Sequence, residues 1–139
     1  MGFFSLPLAR LVGETGRVIC VDLQEKMIAS LNRRARRAGL LNRIDARLCT
    51  EESLQINDLN GKIDFVLAFA VVHEVPDPVQ LLSEMFNALE QGGTLLLSEP
   101  RGHVTMDEFN STKSIAESAG FNIVGLPEIR RSHSVLLEK

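Results

Sequence analysis

Asp22, His73 and the turn Glu99-Pro100-Arg101-Gly102-His103 are the places in this chain where a chemically able side chain meets a position that could use it. Asp22 ends the run Arg17-Val18-Ile19-Cys20-Val21-Asp22. That β-branched stretch reads as a buried parallel strand, with its carboxylate at the end where open α/β sheets bind ligands. Asp22 also lies 20 positions after Gly2, the spacing at which an acid in a glycine-loop βαβ unit takes the two hydroxyls of a ribose. A helical pattern opens just beyond it, so capping that helix is the alternative role for the same carboxylate. His73 closes the apolar run 65–72, and an imidazole can take a proton near neutral pH from a hydroxyl or an activated carbon. Lining a pocket is its alternative. Glu99 or His103 could contact a substrate, although Pro100 and Gly102 make a simple turn the plainer account. His133 belongs to no motif, and the sequence has no metal constellation, nucleophile elbow or zinc spacing.

Periodicity supplies the elements that must hold these residues. Residues 3–12 carry Phe4, Leu8, Leu11 and Val12 at helical spacing, closed by Gly13. Residues 24–38 put Met27, Ile28, Leu31 and Ala35 on one helical face, with Gly39 as the stop. The opposite face holds Arg33, Arg34, Arg36 and Arg37; these could touch phosphate, but cations in a last turn suit the helix dipole and read as a solvated face. Residues 44–49 form a second strand, Thr50-Glu51-Glu52 a polar turn or helix opening, and 57–62 a loop. Residues 63–69 are the most apolar strand and are expected in the core. Asp77 and Pro78 start a helix with Leu81, Leu82, Met85, Phe86 and Leu89 inward and Gly92-Gly93 as its stop. A strand at 94–98 follows, then a helix capped by Thr105 or Asp107, with Phe109, Ile115 and Ala116 inward and Gly120 after it. Strands at 122–126 and 134–137 close the chain. Alternating strands and helices predict an α/β fold, a doubly wound and mostly parallel sheet with right-handed crossovers. The last two strands are too close in sequence for a parallel crossover and should pair antiparallel.

A length of 139 residues fits one domain, and 45% hydrophobic with 24% charged residues excludes a disordered chain. The net charge of -3 argues against an obligate polyanion binder and for a small-molecule partner. No apolar run approaches the roughly 20 residues of a membrane span. The apolar start lacks a basic lead-in, and Leu6 breaks the myristoylation pattern, so no targeting signal is read. Cys20 and Cys49 sit in apolar strands without ligand spacing and read as reduced thiols, which implies a cytoplasmic setting.

In their order and spacing these features resemble a class I S-adenosylmethionine-dependent methyltransferase of the small-molecule or quinone-type branch. Gly2-Phe3-Phe4-Ser5 resembles the end of that family's glycine-rich first motif, and Val18-Ile19-Cys20-Val21-Asp22 its second strand with the ribose-binding acid. Ile63-Asp64-Phe65-Val66-Leu67 resembles the fourth strand, and Leu89-Glu90-Gln91-Gly92-Gly93-Thr94-Leu95-Leu96 the turn into the fifth. The resemblance implies cofactor contacts from Gly2, Phe3, Asp22, Leu23, Phe69 and Ala70, with Met27 near the adenine and His73 near the substrate as the candidate catalytic residue. Where the family often has an acid for the adenine amino group, this chain has Thr50, with Glu51 beside it; a hydroxyl accepts that bond more weakly. Capping a short helix is an equal role for Thr50.

The family's first strand and most of its cofactor loop have no counterpart here, so 1–139 reads as one N-terminally incomplete methyltransferase-like domain. Two central strand edges would be left unpaired, each buried orphan group costing about 1–3 kcal/mol. The sheet could close up, a second copy could fill the gap as a homodimer, or Met1 could be internal to a longer protein, which is the preferred account. The expected function is methyl transfer from S-adenosylmethionine to a small molecule, impaired in this chain. An NAD-type oxidoreductase fragment and a non-enzymatic, dimerising remnant are the alternatives. Neither nucleic acid nor membrane is an expected partner, though the arginine cluster keeps an RNA substrate open.

Overall fold

The computed structural model describes residues 3–139. The chain divides into two compact units, Met1–Gln55 and Ile56–Lys139.

In the first unit, α1 (Ser5–Leu11) leads into β1 (Val18–Asp22), α2 (Glu25–Arg37) and β2 (Ile44–Leu48). β1 and β2 pair in parallel, Val18 opposite Ile44 through Asp22 opposite Leu48. Ala9, Cys20, Leu31, Ala35, Leu40 and Ile44 form the core, with Leu6, Val18, Leu41 and Ala46 packed against it. The periodicity of α2 is borne out: Leu31 and Ala35 are buried, Glu25 stands in its first turn, and Arg34, Arg36 and Arg37 in its last, as the helix dipole favours. The stripe expected on α1 is not. Leu11 is 81% exposed and Ala9 is the buried residue, because a seven-residue helix has room for one inward turn. The Arg43 guanidinium ties α1 to this core by donating to the Ala9 carbonyl at 3.2 Å.

In the second unit the strand order is β3-β4-β6-β5, where β3 is Ile63–Phe69, β4 Leu89–Pro100, β5 Asn122–Gly125 and β6 Ser132–Glu138. β3 and β4 are parallel, whereas β6 runs antiparallel to both β4 and β5. The antiparallel C-terminal pair is therefore as the short connection predicts. Between the strands lie α3 (Pro78–Ala88) and α4 (Met106–Ala119). Leu95 and Leu97 of β4, Val135 and Leu137 of β6, Leu82 of α3 and Ala116 of α4 are fully buried at the centre of this unit.

Both helix starts behave as predicted. The Asp77 carboxylate accepts from the Gln80 N–H at 3.0 Å, and Thr105 with Glu108 forms a reciprocal capping box. Two expectations are corrected. Gly92-Gly93 does not stop α3, which ends at Ala88 and passes directly into a strand of 12 residues rather than one beginning at 94. The last carbonyls of α3 are taken by tertiary donors, the Gly61 N–H to Asn87 and the Lys62 N–H to Ala88. The glycines lie inside β4, held by reciprocal bonds between Gly92, Gly93 and Lys139. Second, β3 is not a fully buried strand. Phe65 is 44% exposed and only Ala68 is buried, because among the described residues β3 is an edge strand bonded to β4 alone. β1 is likewise bonded to β2 alone, so the strands fall into two sheets rather than one. Among the described residues, no helix is long and apolar enough to cross a membrane.

Candidate functional site

The predicted residues fall in both units, at the C-terminal ends of parallel strands. In the first unit Asp22 ends β1, and its Oδ1 accepts from the Gln24 N–H at 2.7 Å. That bond fixes the turn into α2, whose N-cap residue Gln24 makes no side-chain cap of its own. The capping alternative is therefore not borne out: Asp22 closes the turn before α2, and Gln24 holds the N-cap position. Leu23 is 51% exposed beside it, and Leu48, opposite Asp22 in the ladder, is exposed as well. The Cys49 N–H donates to the Asp22 carbonyl at 3.0 Å and brings the following loop to the same strand end. There Thr50 starts no helix. Its N–H and hydroxyl both donate to the Ser53 carbonyl, and its Oγ1 accepts from the Ser53 N–H at 3.1 Å. This tight turn commits the hydroxyl locally, and Glu51 beside it is exposed. Phe3 is exposed and packs edge-on against Phe4. Gly2 lies outside the described residues.

In the second unit β3 ends at Phe69, and Ala70 turns the chain at φ 55° while its N–H donates to the Ser98 carbonyl at 2.8 Å. A non-glycine residue in the left-handed region stores strain of about 1–2 kcal/mol and persists where its surroundings over-determine it. They do here. The next three backbone N–H groups converge on the side chain of Glu99: Val71 and Val72 donate to Oε1 at 3.1 and 3.0 Å, and His73 donates to Oε2 at 3.4 Å. The His73 ring adds Nδ1 to the same Oε2. Glu99 is 1% exposed. A carboxylate so deeply buried must have its lone pairs satisfied, and four converging donors satisfy them. The parallel register that sets Phe69 opposite Ser98 brings Glu99 under this loop.

An acceptor-only carboxylate at Nδ1 leaves the hydrogen of a neutral His73 ring on Nδ1 and the lone pair on Nε2. The His73 side chain is 23% exposed, and its Nε2 lies 3.9 Å from a Glu74 carboxylate oxygen. The His103 ring stacks on His73 with centroids 5.9 Å apart. The rest of 100–104 is the predicted turn, with His103 and Val104 both donating to the Pro100 carbonyl at 3.0 Å. His133, opposite Glu99 in the β4–β6 ladder, stacks on Phe109 with its Nδ1 buried and without a partner among the described residues. Sequence reasoning offered Glu99 as a substrate contact and missed it as the partner of His73. The available signal was an acid directly after the apolar run of β4, level with the end of the neighbouring parallel strand. No group of described residues could hold a metal ion.

A family model described as a methyltransferase domain matches residues 1–128. The chain is 33% identical over 93 residues to an uncharacterized 37.1 kDa protein in transposon Tn4556 of Streptomyces fradiae, covering 67% of this chain and 26% of that protein. It is 29% identical over 98 residues to the ubiquinone/menaquinone biosynthesis C-methyltransferase UbiE of Escherichia coli, covering 70% of this chain and 38% of that enzyme. It thus spans well under half the length of either relative. A crystal structure of a SAM dependent methyltransferase from Aquifex aeolicus superposes with a TM-score of 0.84 at 21% identity, over 98% of this chain and 76% of that one. That likeness shows a shared α/β fold, and with the family match over nearly the whole chain it follows that the chain belongs to the methyltransferase domain family.

Proposed function

We infer that this protein moves a methyl group from S-adenosylmethionine to a small-molecule acceptor, with residues 1–139 working as one domain in the cytoplasm. The family match and the fold support the cofactor. The observation that carries the reading is Asp22: a carboxylate at the C-terminal end of a parallel strand, with Oδ1 held by the turn and Oδ2 left for a ribose hydroxyl. The exposed Leu23 and half-buried Met27 offer apolar surface for the adenine. Thr50 and Glu51 face the same task as in the resemblance, but a hydroxyl already engaged with Ser53 is a poor substitute for a free acid, which supports weak binding of the adenine amino group. Gly2, Phe3, Phe69 and Ala70 are the further cofactor contacts that the resemblance implies. When bound, the cofactor supplies an electrophilic methyl group on a sulfonium; the protein's part is to bind, align and desolvate. Cys20 as a buried thiol supports the cytoplasmic setting. A second copy joined through the edges of β1 or β3 is the partner for which light scattering would be the check.

The antiparallel β6 favours this reading over a nicotinamide oxidoreductase. Thermal unfolding tests the two together. S-adenosylhomocysteine should raise the midpoint with increasing concentration, as any ligand of the native state does, and NAD should not. A shift with NAD alone would reverse the conclusion.

A further inference from the structure

We propose that Glu99 is a positioning residue that holds His73 with Nε2 as a proton acceptor, and that the methyl acceptor is a hydroxyl or acidic carbon that loses a proton on methylation. This rests on the function inferred above. Glu99 is more than a cap for the loop after β3, because its two oxygens divide the work. Oε1 serves the Val71 and Val72 N–H groups, while Oε2 serves both the backbone and the ring of His73. The ring is thereby fixed at one nitrogen by a buried group, while its side chain keeps 23% of its surface open. The groups facing it are Glu99 from β4, Glu74 from its own turn and His103 from the turn after β4, with His133 of β6 across the ladder from Glu99. An acceptor that keeps no proton to lose, such as a pyridine nitrogen, would have no use for this arrangement.

In the step, the acceptor O–H or C–H bond gives its proton to Nε2 and thence to water. The electron pair left behind forms the bond to the methyl carbon, whose bond to sulfur breaks with its pair staying on sulfur. General-base help of this kind is worth about 100-fold or more.

Long-range nitrogen–proton correlation spectra of the full chain without ligand read the tautomer directly. The wild type should show the hydrogen on Nδ1. In Glu99→Gln the amide oxygen can serve the two valine N–H groups only by turning its own N–H₂ toward the ring, so the hydrogen of His73 should move to Nε2. Transfer of labelled methyl from S-adenosylmethionine is then followed to catechol, to a 1,3-diketone and to pyridine. Catechol or the diketone should be methylated, about 100-fold or more slowly in His73→Asn and in Glu99→Gln, with S-adenosylhomocysteine affinity within about twofold of wild type. A wild-type hydrogen on Nε2, full rate in His73→Asn, or transfer to neither proton-bearing probe would overturn the proposal. Should Glu99→Gln fail to fold, the wild-type tautomer and His73→Asn still decide it. A wild type that binds no S-adenosylhomocysteine refutes the cofactor reading instead, while the tautomer is read without it.

Discussion

Cys20 occupies the centre of β1, 7% exposed within the core of the first unit, and burial pushes its thiol above the ordinary value. For an acid whose folded pKa is raised, the folded state holds the proton longer than the unfolded chain. Stability is therefore full below the unfolded thiol's range and falls as the pH rises through it to the folded pKa. Urea unfolding across alkaline pH should show that loss in the wild type and a flatter profile in Cys20→Ala, offset by the cavity the change leaves; parallel profiles would contradict the burial argument. Thiol burial was readable from the apolar run around Cys20. So was the place of Asp22 at the carboxyl end of β1, since strand end and acid coincide in the sequence. The bond between His73 and Glu99 was not, because it joins residues 26 positions apart and depends on which strands are neighbours. Nor was the turn that engages Thr50, since a polar triplet after a strand suits a helix start equally well.

At the scale of elements, helix starts are set by chemistry within four residues, and here they were readable. Replacing Thr105 by Ala removes one half of the capping box and should cost about 1 kcal/mol in urea unfolding. Its partner Glu108 is held below the usual carboxylate range, first by the Thr105 backbone N–H and then by its side chain. A lowered folded pKa means that this support is present above the unfolded carboxylate range and is lost as the pH falls through the folded value. A Thr105→Ala variant as stable as the wild type would contradict the cap. The end of α3 was misread for a physical reason: glycine is only one way to satisfy terminal carbonyls, and tertiary donors from Gly61 and Lys62 do it here. The glycines serve β4 instead. A Cβ on Gly93 would sit 2.9 Å from the Glu90 carbonyl oxygen and 3.1 Å from that of Ile63, both backbone atoms that cannot swing aside. Gly93→Ala should therefore destabilise by about 1–3 kcal/mol, and Gly92→Ala through strain at φ 82° rather than contact. A neutral Gly93→Ala would show that β4 and β3 can separate locally without loss.

Across the whole molecule, alternating periodicities conveyed the α/β class, the parallel pairs and the antiparallel end, because each follows from local pattern and connection length. The two strand edges without partners were implied by the resemblance and are found at β1 and β3 among the described residues; the division into two compact units was not legible, since no local pattern announces it. β1 and β3 both read as buried runs, yet among the described residues each pairs with one strand only. Their half-exposed side chains are the physical trace of that, and the reason Phe65 departs from its expected burial. The central claim, that Asp22 holds the ribose of an adenosine cofactor, is tested most directly by calorimetric titration of S-adenosylhomocysteine into the wild type and Asp22→Asn. Asparagine keeps an oxygen for the Gln24 N–H and so preserves the turn, but loses the second acceptor and the charge. Binding to the wild type is expected, with about tenfold or weaker affinity in the variant at an unchanged unfolding midpoint. Equal affinity in the two proteins, or no binding to the wild type, would contradict it.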